Sequence, residues 1–241
     1  MDACIKALQG VSVFNKNLLF DAIIDCYGTF RSSTLEKYLK HYLESGDVAR
    51  IGRNAYCVKG DLLDYEYAYS DVSIEIARTL TEEFYDLDFR IFELTQLNNF
   101  VNHQIAHNVI FLFTEKELTT SVFENLKKDY GGRILINPTE DDFFNYRQDG
   151  MIIVRNLLTE SPKGRKQFWH TDLEKMLVDI FSENLIKAMF GESEYPAIYE
   201  TAFKKFVVDE SQMFRYAKRR NIDEKLRRFI HEETNVKLRL E

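Results

Sequence analysis

The sequence predicts a mixed α+β and α/β fold in two parts, residues 1–60 and residues 61–241. The first observation is charge: residues 1–60 hold eight Lys and Arg against six Asp and Glu. The remainder holds 24 against 33, and the whole chain carries a net charge of −7. The second observation is a change of pattern at Gly60, where helices and a hairpin give way to alternating strands and helices. With 241 residues, the chain is long enough for two domains that each bury a core.

Two amphipathic helices are predicted in the first part. Residues 15–27, NKNLLFDAIIDCY, place apolar side chains at helical spacing, and Gly28 is expected to end this helix. Ser33 followed by Glu36 matches a capping box, which predicts a second helix that ends at Gly46. Residues 1–10, MDACIKALQG, are a candidate for an additional short helix.

A hairpin is predicted directly after the second helix, in the stretch DVARIGRNAYCVKG. Residues 48–51 form the first strand, Gly52 to Asn54 the turn, and residues 55–58 the second strand, because Gly and Asn both tolerate positive φ. Two helices followed by a hairpin are the order of a winged helix-turn-helix. Residues 1–60 are therefore predicted to be a winged helix-turn-helix DNA-binding domain.

The second part is predicted to be an α/β domain with a mostly helical C-terminal region. Short apolar runs that alternate with amphipathic stretches favour a sheet that is largely covered by helices. Strands are predicted at residues 88–94, 108–115, 133–138 and 151–158. Helices are predicted at residues 71–87, 95–104, 116–130, 171–190, 195–207 and 210–233. Residues 159–171, TESPKGRKQFWHT, are predicted to be a loop.

Two motifs carry a resemblance to a known family. The first is YLESGDVARIGRNAYCV at residues 42–58, and the second is IIVRNLLTESP at residues 152–162 followed by HTDLEKMLVDIFSE at residues 170–183. Their order resembles the AbiEi-type antitoxins, which pair an N-terminal winged helix with a C-terminal antitoxin domain. One departure is Asn54, at a position where the family usually has Gly.

The resemblance implies a non-enzymatic transcriptional regulator and antitoxin of a toxin-antitoxin system of the abortive-infection type. Such a protein represses its own operon by binding double-stranded promoter DNA with residues 1–60. It counters a nucleotidyltransferase-like toxin encoded nearby, and residues 61–241 would carry this antitoxin function. The resemblance implies no cofactor.

Candidate DNA contacts follow from what a recognition helix and a wing require. Small polar and cationic side chains at the start of a helix can enter the major groove, and arginines on a hairpin can contact phosphate or the minor groove. The alternative is a solvated helix face with a serine cap. The candidates are Arg31, Ser33, Thr34, Lys37, His41, Arg50, Arg53 and Asn54.

A second basic stretch, RYAKRRNIDEKLRRF, lies near the C-terminus of the acidic part. It is either the charged outer face of a helix, interleaved with Asp223 and Glu224, or a contact surface. The surface would suit an acidic toxin, RNA, or DNA beside the operator. The candidate partner-binding residues are Arg215, Lys218, Arg219, Arg220, Arg227 and Arg228.

The alternative function is a nucleic-acid-processing α/β enzyme of nuclease type, targeted by the winged helix. Such an enzyme needs carboxylates that hold divalent metal, with a lysine nearby. Asp88 and Glu93 lack a lysine at the right spacing, and the glutamates at 115 and 117 flank Lys116 with the wrong spacing. The sequence therefore predicts no catalytic residues.

Two further clusters contain residue types that can hold a metal ion or act in catalysis. The acidic residues at 140–142 follow Gly131 and Gly132, which precede a strand, so the cluster is predicted to be a solvated loop and the glycines a helix stop. His103 and His107 have metal-ligand spacing only if the short helix reaches His107, and Gln104 replaces the glutamate of the metalloprotease motif. No metal site is predicted.

The sequence predicts a cytoplasmic protein. No apolar run approaches the roughly 20 residues that span a bilayer, and no secretion signal is recognisable. Three scattered cysteines fit a reduced, cytoplasmic protein.

Trp169 lies in the predicted loop, where it is expected either to anchor the loop or to meet a partner beside the basic residues at 163, 165 and 166.

Overall fold

The computed structural model describes residues 2–101 and 104–240 and shows a mixed α+β fold. The strands are β1 Val48–Gly52, β2 Ala55–Val58, β3 Phe89–Glu93, β4 Val109–Thr114, β5 Ile134–Ile136 and β6 Met151–Asn156. The helices are α1 Ala3–Ala7, α2 Lys16–Tyr27, α3 Ser32–Ser45, α4 Asp71–Glu83, α5 Thr119–Tyr130, α6 Glu140–Tyr146, α7 Leu173–Ser182, α8 Asn184–Met189, α9 Tyr195–Lys205, α10 Glu210–Arg219 and α11 Asp223–Glu233.

Residues 2–58, called the head below, form three helices and a small sheet. Asn15 caps α2 by accepting a hydrogen bond from the backbone N–H of Leu18, and Gly28 ends α2 with φ of 92°. Between α1 and α2, Phe14 pairs with Tyr56 of β2 through two backbone hydrogen bonds of 2.9 Å. The predicted helices and hairpin are therefore present, and Phe14 adds a third backbone segment to the hairpin.

The start of α3 differs from the sequence prediction. The N-cap is Arg31, which makes no side-chain capping bond, so the predicted capping box of Ser33 and Glu36 is wrong. The helix begins at Ser32, and Ser33 is therefore already inside its first turn. Its hydroxyl is not at the position where a cap accepts the free backbone N–H groups.

The hairpin β1–β2 lies between two apolar clusters. One face, which includes Val48 and Tyr56, packs on the core of the head. The opposite face packs on Val207 of residues 61–240, called the body below, through Ala49, Ile51, Ala55 and Cys57. Both faces of this hairpin are therefore buried, and its exposed part is the turn together with Arg50.

The hairpin also approaches α10 closely at Gly52. A Cβ atom at this position would lie 2.5 Å from the Oγ of Ser211 and 2.6 Å from a methyl carbon of Leu240. Arg239 donates a hydrogen bond to the Cys57 sulfur at 3.1 Å, and the Glu210 carboxylate accepts from the backbone N–H groups of residues 239 and 240. The C-terminal segment thus lies against the hairpin.

The body contains a four-stranded sheet in the order β3-β4-β6-β5. β3 and β4 are antiparallel, whereas β4, β6 and β5 are parallel neighbours. Every residue of β3 and β4 is buried, because helices cover both faces of the sheet. One face packs on α4 and α5, and the other packs on the helices that follow residue 172.

Three stretches of the body differ from the prediction, and the first is the helix predicted at residues 171–190, which is split into α7 and α8 at Glu183. Glu140, Asp141 and Asp142 are the first turn of α6, not a loop, and Thr139 and Asp142 form a capping box there. Carboxylates in a first turn are favourable because they interact with the positive end of the helix dipole. The helix predicted at residues 210–233 is split into α10 and α11 by Asn221, whose φ is 57°. Gly131 ends α5, as predicted.

A network of charged side chains crosses the interior of the body. Lys175 and Asp179, one turn apart on α7, form an ion pair in which both side chains are almost fully buried. Asp179 also accepts a hydrogen bond from the Tyr216 hydroxyl of α10 at 2.9 Å and lies 3.7 Å from Arg220, the residue that follows α10. The Lys175 ammonium lies 3.6 Å from the centroid of the Phe113 ring of β4. The network therefore joins α7, α10 and the sheet.

Candidate nucleic-acid interface

The outward side of α3 carries the predicted DNA contacts. Leu35, Leu39 and Tyr42 point into the head, so the residues between them are turned to solvent. The predicted residues on this surface are Arg31, Ser33, Lys37 and His41, which are exposed, and Thr34, which is half-buried. Within the part of the chain that the structure describes, neither Arg31 nor Lys37 forms an ion pair.

The two acidic residues on this side of α3 are each paired with a lysine. Glu36 forms an ion pair with Lys16 at the start of α2, and Glu44 lies 3.6 Å from Lys40. Their charges are thereby partly compensated, which reduces the repulsion that a phosphate backbone would meet. The Lys40–Glu44 spacing is readable from the sequence, whereas the Lys16–Glu36 contact joins two helices and has no local signal.

The turn of the hairpin consists of Arg53 and Asn54, both exposed. Asn54 adopts φ of 53°, so the conformation predicted for this position is confirmed. Its side-chain oxygen accepts a hydrogen bond from the backbone N–H of Lys16 at 3.1 Å. Because the Lys16 ammonium pairs with Glu36, this residue contacts both α3 and the hairpin turn. No local sequence pattern predicts this position for Lys16.

Arg50 lies apart from the other candidates. Its Nε donates a hydrogen bond to the carbonyl of Gly52 at 3.0 Å. The side chain lines a cavity of about 550 Å³ between the end of α3 and the body, together with Lys59, Arg165 and Gln212. The structure therefore brings Arg53 and Asn54 together with α3 through Lys16, and places Arg50 at the junction of head and body.

The C-terminal basic residues are divided between surface and interior. Arg220 is mostly buried and pairs with Asp179 and Glu183, so it does not belong to the predicted contact surface. Arg227 is half-buried, 3.6 Å from the centroid of the Phe214 ring. The exposed members are Arg215, which pairs with Glu160 at 3.1 Å, and Lys218, Arg219 and Arg228.

Asp88 and Glu93, the carboxylates of the nuclease alternative, lie at opposite ends of β3. Asp88 pairs with Arg90 just before β3. Glu93, at the opposite end of β3, accepts hydrogen bonds from Tyr67, Ser70 and Asn108. Among the described residues, no group of three or more His, Cys, Asp and Glu side chains is placed to hold a metal ion.

The structure places His107 at the surface beside Asp149 and Trp169 against the Tyr69 ring. His103 lies outside the described residues. The short helix of residues 94–99 is a 3-10 helix that ends well before His107, and His107 is exposed beside Asp149. Trp169 contacts the Tyr69 ring edge-on at 4.8 Å, and its carbonyl accepts a hydrogen bond from Ile91 of β3. This anchors the loop of residues 159–171 to the sheet.

A family model described as a family of unknown function, DUF6577, matches residues 34–236. The chain belongs to this family. The part matched by DUF6577 begins inside α3 and includes the hairpin and the body up to the C-terminal segment. Searches of curated proteins and of solved structures found no match. None of the described helices has both the length and the apolar composition that a membrane-spanning helix requires.

Proposed function

We propose that this chain is a DNA-binding transcriptional regulator and the antitoxin of a toxin-antitoxin system. The observation that carries the DNA-binding half is a pair of adjacent exposed elements, each with a cation that forms no ion pair among the described residues. Lys37 lies on the outward side of α3, Arg53 lies in the hairpin turn, and Lys16 contacts both elements. A helix that enters the major groove beside a hairpin that reaches the phosphates needs this arrangement.

The order of elements in the head supports the same proposal. Helix α1, the paired residue Phe14, helices α2 and α3, and the hairpin follow one another as in a winged helix. In this proposal α3 is the recognition helix, and its first two turns carry Ser33, Thr34 and Lys37. Small polar and cationic side chains of this kind donate to base edges and phosphates.

Neutralising Lys37 and Arg53 together should weaken DNA binding. The measurement is fluorescence anisotropy of a labelled duplex from the DNA upstream of the chain's own gene, titrated at several salt concentrations. For Lys37→Gln with Arg53→Gln we expect affinity about 10-fold lower at low salt, and a slope of log K against log salt reduced by about two, because each phosphate contact contributes about 0.9.

The matched control is Lys116→Gln with Lys128→Gln, which removes two exposed lysines beside and on α5. This variant has the same net charge as the first, so a general electrostatic effect would appear in both. Equal loss in both variants, or no binding by the unaltered chain at low salt, would refute the DNA-binding proposal.

The antitoxin half rests on the resemblance of residues 42–58 and 152–183 to the AbiEi-type family. We expect the neighbouring gene to arrest growth when expressed alone, and expect growth to be restored when this chain is expressed with it. Colony counts with each gene under its own inducible promoter measure the effect. A neighbouring gene that is harmless alone would contradict this half and leave the DNA-binding half standing.

A further inference from the structure

Helix α10 carries a row of residues that begins at the hairpin. Ser211 faces Gly52 of β1, as the close approach of their atoms shows. Residues four and seven positions later, Arg215 and Lys218, lie on the same side of the helix because an α-helix repeats every 3.6 residues. The rise of 1.5 Å per residue places them about 6 Å and 10 Å beyond Ser211 along the helix axis.

These cations are exposed, whereas the opposite side of α10 is buried. Met213, Tyr216 and Ala217 face the core of the body. Lys218 forms no ion pair with any residue that the structure describes, and Arg215 meets a single exposed carboxylate, that of Glu160. Gly52 is followed directly by Arg53 of the exposed turn, so the row on α10 begins beside the residue that precedes this turn.

We propose that this α10 surface, Arg215 and Lys218, binds backbone phosphates of the same DNA that the head binds. The inference rests on the proposed function and extends the DNA footprint from the head onto the body. Phosphates of one strand are spaced about 3.4 Å along the duplex axis, so a row that extends about 6–10 Å from Ser211 has the length of two or three phosphate spacings. The occupant is double-stranded DNA, because the surface is cationic and its row begins where α10 contacts the hairpin of the proposed interface.

The test uses the full chain and two 30-base-pair duplexes, one from the DNA upstream of its own gene and one of random sequence. Arg215→Gln with Lys218→Gln should lower affinity about 5- to 20-fold for both duplexes and reduce the salt slope by about two, since phosphate contacts are independent of sequence. Glu160→Gln should have the opposite effect, because it frees the Arg215 guanidinium, and we expect about 2- to 5-fold tighter binding.

The control is again Lys116→Gln with Lys128→Gln, for which we expect a change below about 2-fold. Thermal melts of all variants check that they fold. If the unaltered chain binds DNA but the α10 variant keeps its affinity and salt slope, the inference is wrong and the proposed function survives. Loss of toxin protection in that variant without loss of DNA binding would assign the surface to an acidic protein partner and also overturn the inference. No DNA binding by the unaltered chain would overturn both.

Discussion

Replacing Asp179 by alanine is expected to lower the free energy of unfolding by about 3–5 kcal/mol, because the change leaves buried positive charge without a partner. Lys175 is fully buried and pairs with Asp179, and Arg220, which follows α10, reaches the same carboxylate. Burial already lowers the pKa of Lys175 to about 8, and the nearby Asp179 charge opposes that shift. The Tyr216 hydroxyl would lose its acceptor as well.

Urea unfolding followed by circular dichroism measures this loss. The matched control is Glu82→Gln, which breaks the exposed pair of Arg78 and Glu82, one turn apart on α4. An exposed pair contributes little, so we expect a change within about 0.5 kcal/mol. A loss below about 1 kcal/mol for Asp179→Ala would contradict the view that the network holds α7 and α10 together.

Stability should fall as the pH rises from about 5 to 7.5, and Glu174 is the main cause. Burial raises its pKa to about 8 and the neighbouring Asp172 adds to the shift, while the Arg165 guanidinium, 3.4 Å from the same carboxylate, opposes it. One carboxyl oxygen accepts from the backbone N–H of Asp209 at 2.6 Å, whereas the other has no hydrogen-bond partner among the described residues. The folded chain therefore keeps a proton on Glu174 that the unfolded chain releases above about pH 4.5.

Glu174→Gln copies the protonated carboxyl and should remove this pH dependence. The informative quantity is the difference in free energy of unfolding between the two proteins at each pH, since it cancels other titrating groups. One such group is His170, whose pKa is lowered by burial and by Lys166. We expect the variant to gain stability relative to the unaltered chain as the pH rises. A difference that is constant from pH 5 to 7.5 would disprove the assignment.

The sequence predicted those parts of the fold in which local pattern and tertiary packing agree. The spacing of Leu35, Leu39 and Tyr42 predicted α3, and the apolar run of residues 109–114 predicted a buried strand. The turn at Asn54 followed from the tolerance of Asn for positive φ. The order of strands in the sheet depends on contacts between distant segments, and no local pattern encodes it.

For two of the wrong predictions, at α6 and at Arg220, the sequence contains a pattern that indicates the observed structure. The acidic composition of residues 140–142 predicts a loop, although Thr139 followed by Asp142 is a helix-start pattern and the structure has the first turn of α6 there. Arg220 was placed on the surface, yet it is spaced three, four and seven residues from Ala217, Tyr216 and Met213, which are buried. That spacing predicts an inward position. Its pairing with Asp179 on α7 depends on tertiary structure, as does the contact of Lys16 with the hairpin turn.

The position of the hairpin between two cores limits how this gene can be recombined. One face of the hairpin packs on the body through Ala49, Ile51, Ala55 and Cys57. The other face of the same two strands packs on the head through Val48 and Tyr56. A head exchanged from a relative would bring a hairpin surface that matches a different body. The two parts are therefore expected to diverge together, with compensating changes at Gly52, Ser211 and Leu240, and not to be shuffled as independent modules.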